Sequence, residues 1–293
     1  MAKVLVLGAN GMAGHVVYLT LREKGHDVTG ATRKGGVLGN DILCDVTDQE
    51  AVKRVITEGG YDFIINCAGT LNRNVEADMY HGIYINSVLP HYLALLIENS
   101  STKLIHISTD CVFRGNQNGF YTESSEKNAI STYGISKSLG EIAGDKLFTL
   151  RTSLVGPEIR ESGIGLFNWF MKNNVVDGFA RVYWTGVTTV QLARTIAALL
   201  KEKDPKGGLY HIVNNEKISK YELLRLFNKR FRNDSVTVYS SDTIESDKSL
   251  YNTRSVSWID IPGYDRMLDD MYEWMTEHRE LYTKYFTGES NDQ

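Results

Sequence analysis

Two residues one helical turn apart, Tyr133 and Lys137, carry the first sign of chemistry in this sequence. A spacing of i and i+4 on a helix places both side chains on one face. A free phenol titrates at about 10, too high to exchange protons readily at neutral pH. A neighbouring ammonium favours the phenolate and lowers that value. A phenol tuned in this way can give its proton to a ketone oxygen as hydride reaches the carbon. By itself the pair reads equally well as an exposed helical Tyr and Lys. Upstream, Ile107-Ser108-Thr109-Asp110 falls at the C-terminal end of a predicted strand, the edge where open α/β sheets bind ligands. The Thr109 hydroxyl there could hydrogen-bond a substrate carbonyl and stabilise its developing negative charge.

A hydride needs a donor, and the N-terminus has the form of a dinucleotide cradle. Gly8-Ala9-Asn10-Gly11-Met12-Ala13-Gly14 directly follows an apolar strand and opens a helix. Glycines permit the tight turn and let backbone approach a pyrophosphate, and the helix N-terminus offers free N–H groups and partial positive charge. The plain alternative is a strand–helix turn with no ligand. The end of the second strand bears on which dinucleotide. NAD sites usually carry an acid there for the ribose hydroxyls. Here the segment is Gly30-Ala31-Thr32-Arg33-Lys34, with no acid and two bases that suit the 2′-phosphate of NADP(H). A solvated basic loop is the alternative.

The elements that must position these groups alternate between strand and helix. Strands are predicted over Lys3–Leu7, Asp27–Ala31, Asp62–Asn66, Lys103–Ser108, Leu147–Thr152 and Gly208–Val213. Helices are predicted over Met12–Lys24, Asp48–Thr57, Glu76–Glu98 (with breaks near Gly82 and Pro90), Ser131–Lys146, Val190–Lys201, Ser219–Phe231 and Asp265–Thr283. Asp48 and Ser219 are candidate N-caps. This alternation predicts an α/β fold, a Rossmann-type doubly wound parallel sheet with a smaller C-terminal substrate-binding domain. The nucleotide domain is expected over 1–155 plus about 186–213, and the substrate domain over about 156–185 plus 214–293. The last residues, Gly288–Gln293, read as a frayed end.

Composition narrows the function classes. The chain has 293 residues, is 42% hydrophobic and 23% charged, and has a net charge of −4 with no basic run, so nothing electrostatic points to nucleic acid. No stretch approaches the ~20 apolar residues that span a bilayer, and the run Val4–Leu7 is too short for a signal peptide. Three scattered cysteines, Cys44, Cys67 and Cys111, imply a reducing compartment rather than a disulfide framework, and a cytoplasmic location is expected. Seven histidines show no metal-ligand spacing, so no metal is expected. His106, inside a strand, reads as a hydrogen-bonded core histidine, Cys67 as a small apolar filler, and Cys111 as pocket lining rather than a nucleophile.

Taken together, Gly8–Gly14, Asn66-Cys-Ala-Gly69, Ile85-Asn86, Ser108-Thr-Asp-Cys-Val-Phe113, Tyr133-Gly-Ile-Ser-Lys-Ser-Leu-Gly-Glu141 and Leu150-Arg-Thr-Ser153 resemble the extended short-chain dehydrogenase/reductases, over most of the chain. Within them the sequence is similar to the dTDP-4-dehydrorhamnose reductase branch of nucleotide-sugar 4-ketoreductases. The resemblance implies that Thr109, Tyr133 and Lys137 are catalytic, with Lys137 binding the nicotinamide ribose and lowering the Tyr133 pKa. It implies cofactor contacts at Gly8, Asn10, Gly11, Met12, Gly14, Arg33, Lys34, Asp45, Ala68, Gly69, Tyr133 and Lys137. Substrate contacts are implied at Asp110, Cys111, Val112, Phe113 and Leu154.

The sequence departs from that branch mainly where the sugar is expected. Cys111 stands where Tyr is usual, Leu154 where Trp is usual, and Ala129 where a Pro is usual. Ser246–Arg254 replaces an Arg-Pro segment. The Ser-Thr-Asp-Cys-Val-Phe and Ser-Asp-Lys-Ser-Leu segments look more like reductases of UDP-linked N-acetyl-6-deoxyhexos-4-uloses, whose products serve capsule and O-antigen. The expected activity is NADPH-dependent reduction of the C4 ketone of a dTDP- or UDP-linked 4-keto-6-deoxyhexose. The expected partners are that small molecule and, through Met79–Ile97, a second copy in a homodimer. The alternatives are an epimerase or dehydratase on the same fold and a non-catalytic NADP-binding regulatory subunit resembling that of methionine adenosyltransferase. Thr109 followed by Asp110-Cys111, and Arg33 in place of an acid, count against the first. An intact Thr–Tyr–Lys set counts against the second.

Overall fold

Val4, Leu5, Val6 and Leu7 are all fully buried. Side chains alternate across a strand, so burial of every one requires cover on both faces of its sheet. The computed structural model describes residues 1–36, 38–39 and 41–286. Its strands are β1 (Lys3–Leu7), β2 (Asp27–Thr32), β3 (Asp41–Leu43), β4 (Phe63–Asn66), β5 (Lys103–Thr109), β6 (Leu147–Thr152), β7 (Leu154–Val155), β8 (Val175–Trp184), β9 (Val187–Thr188), β10 (Gly208–His211), β11 (Ile218–Ser219) and β12 (Thr237–Asp247). Its α-helices are α1 (Gly14–Glu23), α2 (Gln49–Gly59), α3 (Asn72–Ala77), α4 (Met79–Ile83), α5 (Leu89–Leu96), α6 (Thr132–Leu139), α7 (Leu166–Met171), α8 (Thr189–Leu199), α9 (Lys220–Arg232) and α10 (Tyr264–Glu277), with a π-helical turn over Tyr84–Val88.

Seven strands form one sheet in the order β10-β6-β5-β4-β1-β2-β3, every pair parallel. The doubly wound Rossmann-type architecture is thus present. On one face Val4 and Val6 join Val16, Val17 and Leu21 of α1 and Val190 and Ile196 of α8. On the other, Leu5 and Leu7 join Val52 and Ile56 of α2 and Leu89 and Leu93 of α5. Each such burial contributes roughly 1.5–3 kcal/mol. A smaller sheet has the order β11-β8-β12. Met267, Met271 and Trp274 of α10, with Tyr282 beyond it, extend the same buried cluster as Val4. The Tyr282 hydroxyl meets His15 Nε2 at 2.7 Å and accepts from Trp274 Nε1 at 3.2 Å.

Several elements differ from the sequence expectation, each for a local reason. The helix expected to run from Ser131 to Lys146 stops at Leu139. At Gly140 a side chain would collide with the Asn86 carbonyl oxygen, and the chain then turns Glu141 inward to Arg151. Glu76–Glu98 is three short helices and the π-helical turn. Asp78 caps α4 by accepting from His81 N at 3.2 Å, and Pro90 sits in the first turn of α5. The tail helix ends at Glu277 and two 3₁₀ turns follow. The long strands β8 and β12 carry no regular apolar alternation, and β12 is largely exposed, so no period-2 pattern marks them in the sequence. Ser219 caps α9 in a capping box with Glu222, and Asp48 caps α2, as their spacing predicts. Gly288–Gln293 lie outside the described residues.

Candidate active site

The site lies at the C-terminal ends of the central strands. Thr109 ends β5, and its hydroxyl donates to Asp110 Oδ1 at 3.0 Å and accepts from Cys111 N at 3.2 Å. Ser131 starts α6 by accepting from Gly134 N at 3.1 Å, which sets Tyr133 and Lys137 in the helix. Gly134 explains how the helix reaches the strand end. A Cβ there would overlap the Cys111 carbonyl oxygen, so only glycine lets α6 come this close. That approach sets Tyr133 on α6 beside the strand end that carries Thr109.

The electrostatics of Tyr133 and Lys137 correct one expectation. Lys137 is buried, and its ammonium does not lie against the phenol. It donates to the Ile107 carbonyl at 2.7 Å and lies 3.4 Å from His106 Nε2, because a buried cation takes the nearest acceptors. Burial, with Cys111 and Asp110, pushes the Tyr133 phenol up, and the nearby Thr109 hydroxyl opposes this. Burial lowers Lys137 to about 8, against the pull of Glu141 and Cys67. In the protein alone the phenol is therefore raised, not lowered.

The glycine loop has the shape of a cradle. Gly8 has φ +75°, and a Cβ on it would stand 2.9 Å from the Ala68 nitrogen. One on Gly14 would collide with the Gly8 carbonyl oxygen. Gly11 N bonds the same carbonyl at 2.9 Å, and α1 begins with no side-chain cap, although His15 N already donates to Gly11 O at 3.2 Å. Asn10 Nδ2 donates to Gly35 O at 2.9 Å and so ties the Arg33-Lys34 loop to the cradle. Asn10 Oδ1 is buried with no partner among the described residues. Arg33 and Lys34 are exposed. Asp45 accepts from Thr47 N and Oγ1 at 3.0 and 2.8 Å. Burial raises its carboxyl, but Thr47 and the Arg33 guanidinium outweigh it and hold it low. Ala68, just past the end of β4, faces this loop, and Gly69 follows it. Asn86 pins them to α6 by bonding Thr70 N and O at 2.9 Å each and Ser136 Oγ at 3.1 Å.

Of the residues expected at the substrate, Asp110, Cys111 and Leu154 are half-buried. Val112 and Phe113, also expected there, are fully buried. They belong to an apolar cluster with Tyr121, Val213 and Leu250, where the Phe113 ring stacks on Tyr121 at 4.0 Å, and they support the loop from beneath. Burial pushes the Cys111 thiol up to about 12, so it is a neutral thiol, with Lys248 Nζ 3.8 Å from its sulfur. Lys220 was missed in the sequence. It opens α9, its ammonium lies over the Trp184 ring at 5.3 Å, and burial lowers it to about 8 while Asp110 and Cys111 raise it. The only signal was its place beside the Ser219 cap.

A family model described as RmlD substrate binding domain matches residues 2–254. The chain is similar to the probable low-salt glycan biosynthesis reductase Agl14 of Haloferax volcanii, 38% identical over 47% of each chain, so the match spans about half the length of that relative. It is also similar to the dTDP-4-keto-6-deoxy-D-glucose reductase of Streptomyces niveus, 29% identical over 76% of each. Among solved structures, the dTDP-4-dehydrorhamnose reductase of Bacillus anthracis in complex with NADP superposes with a TM-score of 0.79 at 23% identity, over 94% of this chain and 99% of that one.

Proposed function

The chain belongs to the RmlD substrate binding domain family, and from that premise we propose that it is an NADPH-dependent oxidoreductase reducing the C4 ketone of a nucleotide-linked 4-keto-6-deoxyhexose. What carries this reading is the close approach of α6, with Tyr133, to the end of β5, with Thr109, that Gly134 makes possible, on a fold whose glycine cradle opens at the same sheet edge.

NADPH, when bound, supplies the hydride. Gly8, Asn10, Gly11, Met12 and Gly14 would hold its pyrophosphate on backbone N–H groups at the start of α1. The cradle that a Cβ would fill and the unpartnered Asn10 Oδ1 fit such a group. Arg33 and Lys34 would pair with the 2′-phosphate, Asp45 would lie near the adenine, and Ala68 and Gly69 would back the nicotinamide end.

Thr109 and Tyr133 bind the ketone oxygen from one side. The Thr109 hydroxyl turns from Asp110 to that oxygen, and Tyr133 gives it a proton as it gains negative charge. A phenol kept protonated by burial is in the right state to donate. Lys137, one turn along α6, would hold the nicotinamide ribose. Asp110, Cys111 and Leu154 line the sugar. Lys220, its ammonium over the Trp184 ring, faces them across the division between lobe 1–155 plus 186–213 and lobe 156–185 plus 214–293. The neutral Cys111 and compact Leu154, where bulkier rings are usual, favour a hexose with an N-acetyl group on UDP, for capsule or O-antigen polysaccharide.

Three free thiols suit the cytoplasm. The exposed Tyr80, Val88, Leu95 and Leu139 suit a homodimer. Among the described residues no helix is long and apolar enough to cross a membrane.

The test is NADPH oxidation by the purified protein with a panel of dTDP- and UDP-linked 4-keto-6-deoxyhexoses, with and without N-acetyl. Rapid oxidation with one member and its loss in Tyr133→Phe, with NADPH binding retained, are expected. No oxidation with any member despite NADPH binding would overturn the reading.

A further inference from the structure

Asn66 at the end of β4 and His106 on β5 are register partners across a parallel strand pair, and both are fully buried. The polarity of their hydrogen bonds follows from one backbone group. Ala68 N lies 3.1 Å from Asn66 Oδ1, and a backbone N–H can only donate. Asn66 must therefore turn its oxygen toward Ala68 and its NH₂ toward His106, where Nδ2 lies 3.1 Å from Nδ1. An NH₂ also only donates, so Nδ1 accepts, and a neutral imidazole then carries its proton on Nε2. The ring is neutral, since burial, then Lys137 and His91, hold it well below its ordinary value.

Nε2 lies 3.4 Å from Lys137 Nζ. An Nε2–H facing an ammonium sets donor against donor. Facing a neutral amine, it meets a lone pair. The bond from Lys137 to Ile107 O at 2.7 Å is open to either form. The other two buried histidines are of the opposite kind. His15 and His211 place Nδ1 against the Gly11 and Tyr251 carbonyl oxygens at 2.7 and 3.0 Å, which makes each an Nδ1–H ring.

We propose that Ala68 and Asn66 hold His106 as the Nε2–H tautomer, and that His106 is a positioning residue which, through Nε2–H, favours the neutral amine of Lys137 over its ammonium. The importance of that lysine to turnover rests on the reductase reading. With Lys137 neutral, the lone pair on Nζ accepts the hydrogen bond from Nε2–H, and no proton leaves the imidazole. Glu141 and Cys67 favour the ammonium, and burial opposes it. The tautomer adds to the side of the neutral amine.

The test uses the full chain labelled with ¹⁵N-histidine and ¹³C-lysine, with no substrate. Long-range ¹H–¹⁵N spectra distinguish the two tautomers. The expected result is one non-titrating ring of the Nε2–H form beside two of the Nδ1–H form. All three as Nδ1–H would overturn the proposal without any variant. In Asn66→Asp a carboxylate accepts from both Ala68 N and His106 Nδ1, so the ring should switch form. The Lys137 titration, followed at its ε-carbon, should then rise by about one pH unit, a tenfold gain in proton affinity. A ring that does not switch, or a Lys137 midpoint that does not move, overturns it. Failure of the ketone panel above would remove the reductase reading instead, and these spectra do not depend on it.

Discussion

Glu141 and Arg151 meet through two parallel hydrogen bonds, Nε to Oε1 at 2.8 Å and Nη2 to Oε2 at 2.7 Å, with both side chains almost wholly buried. Ser108 Oγ donates to the same carboxylate at 2.7 Å, and Lys127 Nζ lies 3.1 Å from it. Arg151 Nη1 meets His211 Nε2 at 2.9 Å, and the guanidinium lies over the Phe113 ring at 5.0 Å. One ion pair thus ties the end of β5, the chain leaving α6, and strands β6 and β10. Arg151→Met strands a buried carboxylate. It should cost about 3–5 kcal/mol in urea unfolding, and a loss well under 1 kcal/mol would contradict the role given to the pair.

Acid should loosen the fold before ordinary carboxylates titrate. Burial lowers His15 and His211 to about 4 and His106 well below its usual 6.5. Between those values the unfolded chain binds more protons than the folded one, so stability falls as pH falls through that window. Burial raises the Glu141 carboxyl, but Arg151, Ser108 and Lys127 outweigh it and hold it below 4.5. Its contribution is present above 4.5 and lost below. The Tm should be level between pH 6.5 and 8 and decline steadily below. A Tm that holds steady down to pH 4.5 would contradict the buried neutral histidines.

Gly134→Ala places a methyl group against the Cys111 carbonyl oxygen and must push α6 back from β5. Misplacement by an ångström can cost about a hundredfold in turnover. The expected outcome is that loss in kcat with NADPH affinity little changed, measured by NADPH oxidation and by fluorescence titration.

The cofactor residues separate by readout. Gly8→Ala meets Ala68 at 2.9 Å with φ +75°, and it should lose NADPH binding and some stability together. Arg33→Ala leaves the fold intact and removes a charge-assisted contact, so NADPH should weaken about 10–100-fold against NADH. Equal weakening of both cofactors would place Arg33 away from the 2′-phosphate.

Lys220→Met removes the ammonium but keeps the length of the side chain over Trp184. An increase of about tenfold or more in substrate KM, with the NADPH Kd unchanged, is expected of a residue facing the sugar. An unchanged KM would make Lys220 part of the packing alone.

Much of the candidate site was legible because it is local. The cradle from Gly8 to Gly14, the bases Arg33 and Lys34, the hydroxyl of Thr109 and the spacing of Tyr133 and Lys137 each lie within one turn or one strand end, where short-range geometry and chain order suffice. The parallel sheet was legible for the same reason, since Val4–Leu7 and its counterparts are continuous apolar runs between helices. Contacts between distant segments were not. Nothing near Lys220 in sequence points to Asp110, nothing in Val112 and Phe113 says that they turn inward, and Lys137 gave no sign that its nearest partners would be Ile107 and His106. The sequence by itself determined which chemical groups are present and which sheet edge carries them. The tertiary structure alone decided which of those groups touch, because burial, hydrogen-bond polarity and ion pairing depend on residues brought together across the fold, as Glu141 is to Arg151 and Ala68, through Asn66, is to His106.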